Sequence, residues 1–71
     1  MNETVELAYK LGRKKGLTMR VLDNVGELAS TLRGQKRLRE YSNAEVAGFA
    51  LERAMQSERR LSHGTGAENW L

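Results

Sequence analysis

Seventy-one residues, 39% apolar and 30% charged, make one small domain with a modest core. There is no cysteine, which excludes a disulfide framework and any thiolate metal site and fits a reducing cytoplasm, the expected location. The net charge of +3 is uneven: Lys10 to Arg39 carries nine cations against two acids, a net of +7, while the flanks carry three against seven, a net of −4.

The opening "MNETVELAYK" is acidic and has no apolar signal core, so no secretory leader is expected. Asn2 caps a first helix, and Glu3 and Glu6 suit its positive end. Thr4, Ala8, Leu11 and Lys15 share a face, with Val5, Leu7 and Gly12 beside them. The spacing predicts a helix over about 3–15.

"GRKKGLT" follows. Gly16 is the expected left-handed residue after the helix, with Leu17 folding back in a Schellman ending. Thr18 caps the next helix at once. In that helix Leu22, Val25, Ala29 and Leu32 step by three and four residues, an amphipathic stripe over about 19–33 that ends at Gly34. "GQKRLREYS" reads as a polar, basic connector with room for one more helical turn through Leu38.

Ser42 and Glu45 have capping-box spacing, and Tyr41 and Val46 the spacing of a hydrophobic staple. A third helix is expected over about 43–61, with Val46, Phe49, Ala50, Arg53 (by its stem) and Ala54 toward one side and Ala47, Leu51 and Met55 nearby. Glu52, Gln56, Arg59 and Arg60 read as solvated. "SHGTGAENWL" has two glycines and no periodicity, so 63–71 is expected to be a flexible tail. The fold class is all-α: one three-helix domain over 1–62 with short connections and a frayed C-terminal tail. No apolar run approaches the ~18 residues that cross a bilayer, so no membrane association is expected.

Catalysis has little to stand on. His63, the single histidine, adjoins Gly64 in the tail, and nothing brings Ser42, His63 and Asp23 together. One imidazole and no thiol make no zinc site. "GRKKG" lacks Walker spacing and follows no strand. No metal, no cofactor and no enzymatic activity are expected.

The cations carry the functional reading. Lys14 and Lys15 complement the end of the first helix dipole, but Lys10, Arg13 and Lys14 stand at i, i+3 and i+4 and repel one another. Only Glu6 is placed to relieve Lys10. Arg33, Lys36, Arg37 and Arg39 repeat the excess at the far end of the second helix. If the first two helices pack antiparallel, Gly16 stays at one end and Gly34 goes to the other, so the two clusters flank a face about two to three turns long. The expected partner-binding residues are Lys10, Arg13, Lys14, Lys15, Arg20, Arg33, Lys36, Arg37 and Arg39, meeting phosphates or an acidic protein patch. Tyr41 and Phe49 read as staple and core, so no stacking platform for single strands is expected.

Two resemblances bear on this. "ELAYKLGRKKGLTMRVL", through Ala8, Gly12, Thr18 and Val21, resembles the helix-turn-helix pattern, departing from it at Arg13, where that pattern has an apolar residue. "AYKLGRKKG" with "GFALERAM" resembles the two-helix layout of small phage-encoded accessory and regulatory proteins, and is similar to ribosome modulation factor, through Ala8, Tyr9, Gly12, Gly16, Gly48, Phe49 and Ala54. The phage resemblance implies a small regulator docking on transcription or translation machinery. The function expected is non-enzymatic regulation of gene expression, through nucleic acid or an acidic surface such as that of RNA polymerase. The alternative is a helical adaptor or inhibitor, or a weak homodimer burying Met19, Leu51, Met55 and Leu61.

Overall fold

The computed structural model describes the backbone over residues 2–69 and the side chains over 2–59. Three helices form, with no strand among the described residues: α1 (Glu3–Lys14), α2 (Met19–Arg33) and α3 (Asn43–Asn69), with a 3-10 turn at Lys36–Leu38 between the last two.

Local chemistry sets each boundary. The Val5 N–H donates to Asn2 Oδ1 at 2.8 Å, and the Val21 N–H to Thr18 Oγ1 at 3.4 Å, so both helices begin where a side chain takes an orphan donor. α1 ends in a Schellman motif. The Leu17 N–H reaches the Gly12 carbonyl at 3.1 Å and the Gly16 N–H reaches that of Arg13 at 3.0 Å. Gly16 takes φ +74°, the one left-handed residue among those described. At α3 the box is reciprocal: the Ser42 N–H donates to Glu45 Oε1 at 3.0 Å, and the Glu45 N–H to Ser42 Oγ at 3.1 Å.

α1 and α2 pack antiparallel. Tyr9 lies against Gly26, where an added Cβ would come within 2.7 Å of the ring Cζ, and Leu22 crowds Gly12 in the same way. α3 lies across both, parallel to α1. Its start meets the beginning of α1 through Thr4 and Asn43, and its Glu58 meets the beginning of α2 at Arg20. The core is built of small residues. Ala8, Val25, Ala29, Val46, Ala47, Ala50 and Ala54 are wholly buried, so the helices approach closely.

α1 closes at Lys14 with Lys15 as its C-cap, at the end expected from the sequence. The expectations for α3 change. α3 continues to Asn69, past the expected end near Leu61. The expected flexible tail, 63–71, falls on residues whose side chains, and at 70 and 71 whose backbone, lie outside the described part. Phe49 is exposed rather than core. Ala50 takes the inward position on the alanine seam, and Phe49, about 100° round the helix from it, falls at the margin. Its ring packs edge-on against Tyr41, with centroids 5.5 Å apart, so Phe49 is the aromatic partner of Tyr41. Ala47 and Leu51, expected beside the stripe, are buried with it, whereas Arg53, expected inward by its stem, is exposed.

Candidate anion-binding surface

The nine expected cations divide into two groups at opposite ends of the bundle. Arg13, Lys14 and Lys15 close α1, and Arg20 stands in the first turn of α2, so all four lie at the α1–α2 turn. All four are exposed. α3 adds Arg59, which borders a groove with Lys15, Met55 and Glu52, and a second groove with Arg20, Leu17 and Glu58. Of the two acids bordering these grooves, Glu58 pairs with Arg20 at 3.3 Å.

Lys10 belongs to the same helix but sits one turn back, in a depression it shares with Glu3, Glu6 and Arg13. Its charge is therefore partly offset by acids on its own helix.

Arg33 is not a free cation. It donates from Nη1 to Asn43 Oδ1 at 2.8 Å, and from Nη2 to the carbonyls of Leu38 at 2.6 Å and Arg39 at 3.2 Å. A planar fork with several fixed donors suits such a clamp. Arg33 thus ties the end of α2 to the 3-10 turn and to the start of α3. That turn carries Lys36, Arg37 and Arg39, all exposed.

The two clusters stand at opposite ends, as the antiparallel packing of α1 and α2 expected from the sequence places them. Antiparallel packing sends Gly34 to the end where α1 begins, and Glu3 and Glu6 fill the first turn of α1 there. The acids interrupt any continuous basic strip between the 13–20 group and the 36–39 group. What remains is a basic end at the α1–α2 turn, and a mixed end where arginines lie beside exposed aromatic rings.

Sequence reasoning missed Arg59 as a member of the basic end. It read as solvated, which it is, but its neighbours Lys15 and Arg20 come from other helices and no spacing within α3 reveals them. Leu51 is buried within the chain, and Met55 is half-buried between the two grooves. Met19 is exposed to 73%; Leu61's side chain lies outside the described residues.

Among the described ionisable groups, Glu45 has a shifted acidity. The Ser42 backbone N–H, and after it the Ser42 side chain, hold its carboxyl below the usual range. The cause is the helix cap, so the shift belongs to the architecture. No helix of the described residues is long and apolar enough to cross a membrane.

The chain matches no protein-family model, no curated protein and no solved structure.

Proposed function

We propose that this chain is a small non-enzymatic regulator of gene expression, of the kind phages encode, that binds the phosphate backbone of nucleic acid through the end of the bundle carrying the α1–α2 turn. One observation carries the reading: Lys14 and Lys15 close α1, Arg20 opens α2, and Arg59 of α3 shares one groove with Lys15 and another with Arg20, with Glu52 and Glu58 as the acids among them. Three separate elements supplying like charge to one place works against stability by mutual repulsion, so the gathering is best explained by a partner that neutralises it. Exposed lysines and arginines meet phosphates without sequence preference.

The test is a salt titration by fluorescence anisotropy, using a labelled random-sequence duplex, for the wild type and for the Lys14→Gln/Lys15→Gln double variant. Glutamine keeps helix propensity, so the variant stays folded. Duplex binding should weaken in the variant, and the slope of log affinity against log salt should become shallower by about 0.9 for each phosphate contact removed. The rival partner is an acidic protein surface, such as one on RNA polymerase. It would give a gentler salt dependence, because ordinary screening acts without a condensed counterion layer. Equal affinity and slope in the two proteins would remove the basic end from the function.

A further inference from the structure

The opposite end of the bundle carries a different chemistry. Tyr41 and Phe49 stay 42% and 38% exposed although each ring is large enough to anchor a core. They stand edge to face, with ring planes at 64°. Beside them a groove of about 360 Å³ runs between the 3-10 turn and α3. Leu32, Leu38 and Phe49 give it an apolar floor; Arg37, Arg53 and Glu52 stand on its rim. Neither arginine is paired with a carboxylate among the described residues, where the ion pair found is Arg20–Glu58.

Aromatic rings and arginines around a small apolar hollow are what interface hot spots are made of. Floor and rim together choose between occupants. A phosphate backbone has no apolar group to seat on Leu32, Leu38 and Phe49, whereas an amphipathic protein segment does. Two unpaired guanidiniums in the groove itself suit a short segment bearing a few carboxylates and one apolar anchor. We infer that this groove is a docking site for an acidic amphipathic segment of another protein, its apolar side chain seated on Leu38 and Phe49 and its carboxylates on Arg37 and Arg53. Glu52 is the one lining residue this groove shares with the grooves of the basic end, so a chain built this way links a nucleic acid to a protein through two largely separate surfaces.

The groove's supports are already fixed. Arg33 holds the carbonyls of Leu38 and Arg39, which sets the 3-10 turn that presents Arg37. The site is preformed on one side by that clamp and on the other by α3, so docking requires little ordering.

The experiment is amide chemical-shift mapping of the ¹⁵N-labelled full chain with three probes: an acetylated peptide of alternating Asp or Glu with Leu and one Phe, the same peptide with Lys in place of every acid, and oligo-dT. The acidic peptide should shift the amides of Leu38, Phe49 and Arg53 and leave those of Lys14 and Lys15 in place. Replacing its Leu and Phe by Ser should abolish the shifts. The Arg37→Glu/Arg53→Glu variant should bind the acidic peptide roughly tenfold or more weakly and gain binding to the lysine peptide. Both positions are exposed, so the variant should fold, and its thermal melt checks that it does. Phe49→Ala should weaken the acidic peptide without the charge reversal. The inference is overturned if the acidic peptide shifts nothing, if it shifts only the Lys14–Lys15 end, if the charge swap leaves its affinity unchanged, or if oligo-dT occupies the groove and the acidic peptide does not. None of these outcomes depends on whether duplex DNA binds the basic end.

Discussion

Arg33 donates to the side-chain oxygen of Asn43 at 2.8 Å, and through that one oxygen the end of α2 meets the start of α3. The same oxygen accepts the Thr4 hydroxyl at 2.8 Å, and the Asn43 amide nitrogen donates to Glu3 at 2.7 Å. Asn43 therefore joins all three helices. Thr4 is 1% exposed, so its hydroxyl has no recourse to water if Asn43 is lost.

Asn43→Ala should destabilise the fold by about 1–3 kcal/mol, because it strands a buried hydroxyl and a guanidinium donor together. Thr4→Val keeps the shape and leaves Asn43 bonded to Arg33, so it should cost less than Asn43→Ala. Denaturant unfolding of both variants checks the order. Equal costs would mean that the network contributes through Thr4 alone.

Two glycines should respond with opposite signs. Gly16 holds φ +74°, and Gly16→Ala should destabilise by about 1 kcal/mol or more. Gly48 lies inside α3, and a Cβ there would meet nothing within 4 Å. Gly48→Ala should therefore stabilise by about 0.5–1 kcal/mol through helix propensity. Thermal melts of the two variants should move in opposite directions.

The Ser42–Glu45 box makes a pH prediction. Glu45 is lowered in the folded chain from its ordinary 4.5, the Ser42 backbone N–H being the main cause. A carboxyl with a depressed folded value contributes stability that is present above its unfolded pKa and is lost as pH falls through the folded one. Glu45→Gln retains an acceptor but not the charge. Its melting temperature should lie below the wild type's at pH 6, and the gap should close as the pH is taken below 4.5 and on through the lowered value. Ser42→Ala should cost roughly 1 kcal/mol at neutral pH. A gap that does not change with pH would mean that Glu45 acts as a neutral cap.

The features legible in the sequence are those decided within a few residues. Asn2, Thr18, the Gly16 ending and the Ser42–Glu45 box all depend on partners up to five positions away, and each stands in the fold where its spacing puts it. Arg33 shows the other case. Its role is set by Asn43, ten residues on, and by two carbonyls of a 3-10 turn, so from spacing alone it joined the binding cations. Phe49 followed the apolar count of α3, but the alanine seam admits no ring, and that is a property of three helices at once. Arg59 joins Lys15 across 44 positions of sequence, a separation no periodicity spans.

The Arg20–Glu58 pair gives the sharpest test of the basic end. Arg20 reaches Glu58 with one nitrogen, at 3.3 and 3.4 Å to the two carboxylate oxygens, and its side chain is 83% exposed. An exposed pair of this kind is worth about 0–1 kcal/mol, so Glu58→Gln should leave the thermal melt nearly unchanged. Its effect on duplex binding should be larger and opposite in sign to that of the lysine variant. Removing the carboxylate raises the local charge by one and frees Arg20 to meet a phosphate. Affinity should rise at low salt, and the slope of log affinity against log salt should steepen by about 0.9 if Arg20 gains one contact. Arg20→Gln should cancel that gain, and in the Glu58→Gln background it should restore roughly wild-type binding, since the pair is then removed as a unit. The measurement is the same anisotropy titration, run on the two single variants and the double. Tighter binding for Glu58→Gln, erased by Arg20→Gln, places Arg20 in contact with the backbone. Weaker binding for Glu58→Gln would mean that the carboxylate holds Arg20 in its working position, and the basic end would then act through Lys14, Lys15 and an Arg20 fixed by Glu58.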